Sequence, residues 1–86
     1  MSLENEYFDE KQFLANEKET LAKFEGLNVE EMTSEQIDAR NRGIKRCKVT
    51  IKESEEILEE IKEELVEFIN NGGEVSKLTL KDLGMS

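Results

Sequence analysis

The chain has 86 residues and a mass of 9.9 kDa, enough for one small domain and too little for most enzymes that need a deep cleft. Its 21 acidic residues outnumber 12 basic ones, giving a formal net charge of -9, and 38% of the residues are charged. Leu, Ile, Val and Phe together make about 27% of the sequence, above the roughly 20% below which a highly charged chain stays unfolded.

Absences exclude most catalytic chemistry. There is no histidine, so Ser-His and Cys-His nucleophile pairs, imidazole zinc sites and Glu-x-x-His di-iron motifs are all ruled out. The single cysteine, Cys47, cannot close an internal disulfide, and Gly72-Gly73 lacks the Lys-Ser or Lys-Thr of a phosphate loop. No catalytic residue, cofactor or metal ligand is expected. The acidic start from Met1 to Asp9 is unlike a signal peptide, and no apolar run approaches the roughly twenty residues of a membrane span. The expectation is a soluble cytoplasmic protein that is not an enzyme.

Proline is also absent, so nothing in the chain is forced to break a helix. The pattern predicts helix 1 over residues 3–24, a nine-residue connection from Glu25 to Thr33, helix 2 over residues 34–70, and a tail over residues 72–86. Tyr7, Leu14 and Leu21 recur every seven residues in helix 1, with Leu3, Phe13 and Phe24 widening the stripe. Helix 2 opens on a capping box, Thr33 with Gln36, and a staple of Met32 on Ile37. It closes on Asn71, Gly72 and Gly73, residues suited to a left-handed stop. Ser76 and Thr79 can cap a short tail helix that ends at Gly84. No recognition helix follows Leu78 to Ser86, so the tail carries no helix-turn-helix.

Helix 2 holds a heptad seam. Ile37, Ile44, Ile51, Leu58 and Leu65 form one row, and Arg40, Cys47, Ser54, Ile61 and Phe68 form a second three residues later. Cys47 reads as a core residue, and Gly43 costs about 1 kcal/mol of helix propensity to admit a close neighbour. Helix 1 is shorter. An antiparallel hairpin aligned at the start of helix 2 would cover it only to about residue 55 and leave Leu58, Ile61, Leu65, Phe68 and Ile69 open. Either a second chain or the tail, with Val75, Leu78, Leu80 and Leu83, must cover them.

Charge along helix 2 favours the second chain. Arg40, Arg42, Lys45, Arg46, Lys48 and Lys52 fill its first half, and eight glutamates from Glu53 to Glu67 crowd the second, against the preference of the helix macrodipole. An antiparallel partner would match Cys47 with Leu58, Ile44 with Ile61, Arg40 with Leu65, Ile37 with Phe68, and Ile51 with Ser54. The expected architecture is an all-α antiparallel helical hairpin with one long heptad-patterned helix, dimerising into a four-helix bundle. Self-association is assigned to Ile37, Ile44, Cys47, Ile51, Leu58, Ile61, Leu65 and Phe68.

The basic stretch is read as salt bridging, since it has no interleaved aromatic residue and the whole protein repels a polyanion. Glu56, Glu60, Glu63 and Glu67 form a carboxylate ridge at three- and four-residue spacing and are the candidate partner-binding residues. Cys47, Ile51, Ser54-Glu55 and Leu58, with Glu25-Gly26 upstream at a helix turn, resemble the small subunit of bacterial exonuclease VII over about a third of the chain. That resemblance implies a helical hairpin supporting a larger nuclease subunit. Heptad spacing alone generates the same match, and the position of Gly43, the stretch from Asn28 to Asn41 and the length of helix 2 depart from the pattern. The expected function is therefore a non-catalytic protein-protein interaction module, an adaptor, regulator or inhibitor. Two alternatives stand beside it: an accessory subunit of a nucleic-acid enzyme, and an acidic polyanion mimic of the kind carried by phages or mobile elements.

Overall fold

A computed structural model describes residues 2–85, and within them the chain is all-helical. Helix α1 spans Leu3–Glu25, a single 3-10 turn Val29–Glu31 lies in the connection, α2 spans Ser34–Asn70, and α3 spans Lys77–Asp82. The molecule is a rod of 58 × 20 × 18 Å. Its long axis is set by the 37 residues of α2, about 55 Å of helix.

Each helix begins and ends on local chemistry. The Ser2 side chain accepts the Asn5 amide, Thr33 and Gln36 complete a capping box, and Ser76 accepts the Thr79 amide. At the end of α2, Gly72 has φ of 92° and donates to Ile69, while Gly73 donates to Phe68 at 2.8 Å. This is a Schellman stop, and the left-handed position requires glycine. The tail repeats it: Gly84 has φ of 73° and donates to Lys81, and Met85 donates to Leu80 at 2.8 Å.

Helices α1 and α2 pack antiparallel, but in a different register from the one their lengths suggest. The hairpin is not aligned at the start of α2. Phe24 lies against Arg40 and Gly43, Ser54 donates to Glu10 at 2.7 Å, and Leu3 and Glu4 share a pocket with Leu65 and Phe68. The whole of α1 is thus displaced along α2 and reaches Leu65. The expectation that α1 stops near residue 55 is corrected.

Two features set this register. Arg40 Nε donates to the Phe24 carbonyl at 2.9 Å, and the same guanidinium reaches the Glu25 carbonyl at 3.5 Å, so a cation closes the C-terminal end of α1. One turn on, a Cβ added at Gly43 would lie 2.7 Å from the Phe24 ring. The missing side chain is the seat for that ring. The connection then runs beside the first turns of α2, where Leu27, Asn28, Glu31 and Met32 meet Gln36.

The core is narrow. Tyr7 and Leu14 of α1 and Cys47, Ile51, Ser54 and Leu65 of α2 are buried, with Thr79 of the tail. Ser54 satisfies its hydroxyl on Glu10, and no buried side-chain polar atom among the described residues lacks a partner. The second row of the seam therefore serves the hairpin: Arg40 caps a helix and Ser54 bonds a carboxylate.

Replacing Arg40 by Ala should cost about 1 to 2 kcal/mol in urea denaturation, since two carbonyls at a helix end lose a charged donor. Arg40→Lys should recover only part of it, because an ammonium cannot reproduce the fork.

Candidate functional site

Three surfaces carry the chemistry that the core leaves over: the clasp holding α3, the outer face of α2, and the flank between α1 and α2. Among the described residues no group of three His, Cys, Asp or Glu side chains is placed to hold a metal ion. No described helix is long and apolar enough to cross a membrane.

The clasp is built on the first two turns of α1. One Glu4 carboxylate oxygen accepts the Ser76 amide at 2.9 Å, the Ser76 hydroxyl at 2.6 Å and the Thr79 hydroxyl. Negative charge thereby meets the start of α3. One turn on, Tyr7 donates its phenol to Asp82, and Lys11 pairs with the same carboxylate oxygen at 2.7 Å. Both ends of α3 are tied to α1, and Thr79 is fully buried. The hydrogen bonds to Ser76 and Thr79 hold the Glu4 pKa below its ordinary 4.5, and those from Lys11 and Tyr7 hold Asp82 below 3.8. Burial, followed by the bond to Asp82 and its charge, pushes Tyr7 up to about 12.

The clasp decides what covers the distal seam. Leu65 is fully buried within one chain, and Leu58, Ile61 and Ile69 are half-buried. Of the residues assigned to self-association, Cys47, Ile51 and Leu65 are buried inside the hairpin, Ile37, Ile44, Leu58 and Ile61 are half-buried, and Phe68 is exposed. Cys47, Ile51 and Leu65 thus form the core of the hairpin against α1, while the other assigned residues keep part of their surface open, Phe68 the largest share.

The outer face of α2 carries the partner-binding candidates. Glu56, Glu60, Glu63 and Glu67 are all exposed, as are Arg42, Lys45, Arg46, Lys48 and Lys52 at the other end. None is in an ion pair: among the described residues the salt bridges are Lys11–Asp82 and Lys23–Glu19. Helix α1 does not neutralise the basic half. Val49 lies among those cations with 52% of its surface exposed.

The third surface is one that the heptad rows did not mark. On the side of the hairpin away from Lys11 and α3, a groove of about 310 Å³ is lined by Glu10, Phe13, Thr50, Glu53, Ser54 and Ile57. Phe13 is 44% exposed and Ile57 46%. The sequence groups Phe13 with the helix 1 stripe, yet it faces outward here because α1 presents Tyr7 and Leu14 to the core instead. Ile57 lies one residue before the Leu58 row, and its signal was an apolar residue beside the seam.

The clasp has a pH window at each end. Both carboxylates have lowered folded-state pKa values, so their contribution is complete well above 4.5 and is lost as pH falls through those lowered values. Tyr7 has a raised value, so its contribution is complete below its ordinary 10.0 and is lost as pH rises toward about 12. As the chain has one tyrosine and no tryptophan, phenolate absorbance reads the clasp directly. The native midpoint should lie near 12 and fall in Asp82→Asn. A native midpoint at 10.0 would mean that Tyr7 is not buried under α3.

No family model matches this chain, and no curated protein or solved structure matches it either.

Proposed function

We propose that this chain is a non-catalytic helical interaction module, acting through self-association and through binding of another macromolecule. The observation that carries the proposal is the unpaired charge on α2. A helix whose cations occupy one half and whose anions occupy the other, with no ion pair to the hairpin, is complementary to an antiparallel copy of itself.

Because Cys47, Ile51 and Leu65 of the seam are buried against α1, the second copy lies on the outer face and leaves each hairpin intact. Lys45 then stands opposite Glu60 of the second copy, Arg42 opposite Glu63, and Val49 opposite Glu56, in the antiparallel order that the charge halves favour. The assembly is a pair of hairpins sharing charged outer faces. Each exposed pair contributes well under about 1 kcal/mol and is screened by salt. Association of this kind is weak, reversible and governed by ionic strength, as suits a regulator or adaptor that must release its partner.

Sedimentation equilibrium across a salt series tests this directly. The mass should approach twice 9.9 kDa at low salt and return to 9.9 kDa at high salt. The triple change Glu56→Gln, Glu60→Gln and Glu63→Gln should abolish the heavier species and leave helicity unchanged, since all three side chains are exposed. A mass of one chain at every ionic strength would defeat the self-association half of the proposal.

A further inference from the structure

We infer that the groove between α1 and α2 at Phe13 and Ile57 is a docking site for a cationic amphipathic helix of another protein. The inference rests on the macromolecule-binding half of the proposed function and names its partner class. Phe13 and Ile57 leave nearly half of their surface in water, one from each helix, on opposite walls of one groove. A bound helix that inserted an apolar side chain between them would bury both, the usual way in which an amphipathic helix enters a groove.

The rim states the charge of the occupant. Glu10 and Glu53 line the groove itself, and neither is in an ion pair. Glu6 on α1 and Glu64 on α2 recur at helical spacing along the same flank. Ser54 occupies one oxygen of Glu10, which leaves that carboxylate with acceptor capacity toward the solvent. An apolar strip with acids along both edges fits a helix carrying an apolar stripe with Lys or Arg on either side.

The same charges argue against a second copy at this place. In a two-fold interface each patch meets itself, so an axis through the groove would set Glu10 and Glu53 against the same acids of the other chain. Arg42 and Arg46, eleven and seven residues before Glu53, are the cations nearest this helical angle on α2. A nucleic acid or an anionic lipid surface would be repelled by the same rim.

The test uses a fluorescently labelled Leu/Lys amphipathic helical peptide and the full chain. It is run on a Glu56→Gln, Glu63→Gln background as well as on the native sequence, with Glu60 kept because it lies seven residues from Glu53 on the same flank, so that loss of self-association and loss of groove binding are read separately. Anisotropy should show saturable, equimolar binding that survives the ridge changes within about twofold. Ile57→Ser and Phe13→Ser, each on an exposed position of a different helix, should each weaken binding about tenfold with circular dichroism unchanged. Glu10→Gln with Glu53→Gln should weaken it and flatten its salt dependence. Absence of saturable binding overturns the inference, as does a ridge variant that loses as much affinity as the groove variants. A mass shift to one chain caused by Ile57→Ser alone also overturns it, because it would assign the groove to a second copy.

Discussion

The length of α2 governs the rest of the structure. A helix of 37 residues with an apolar seam along most of its length cannot leave that seam wet, and α1 has only 23 residues with which to cover it. The mismatch is resolved by register and by the tail. Arg40 and Gly43 fix Phe24 well inside α2, which moves α1 toward the acidic end, and α3 turns back onto the start of α1, with Phe68 still exposed.

Polar residues therefore do the positioning. Arg40 spans the gap between two helices by donating to the carbonyls of Phe24 and Glu25 at the end of α1, and its place in an apolar row reflects that geometry. Ser54 is fully buried, and its hydroxyl is satisfied across the helix pair by Glu10. Glu4 gathers three donors from Ser76 and Thr79 and so ties the tail to the start of α1.

Satisfying the seam within one chain changes where partners can bind. The faces left for association are the outer side of α2, with its separated charges, and the acidic groove on the flank. These differ in chemistry: one separates cations from anions along a helix, the other is an apolar cleft with glutamates on its rim.

Helix existence was legible in the sequence because its signals are local. The Thr33-Gln36 box, the Gly72 and Gly84 stops and the seven-residue spacing each concern residues a few positions apart, and α2 runs from Ser34 to Asn70 as those signals specify. The acidic ridge was legible for the same reason, since helical spacing alone puts Glu56, Glu60, Glu63 and Glu67 on the outer face. Register was not. It depends on Arg40 meeting the Phe24 carbonyl and on a phenyl ring seated over Gly43, contacts between residues 16 and 19 positions apart, which no periodicity encodes. The clasp from Glu4 to Thr79 and from Tyr7 to Asp82 joins the two ends of the chain, and the Phe13–Ile57 groove exists only once α1 has its register. Sequence determined the helices and their faces; tertiary structure decided which faces were already spent, because burial is settled by what packs against a residue and not by its spacing.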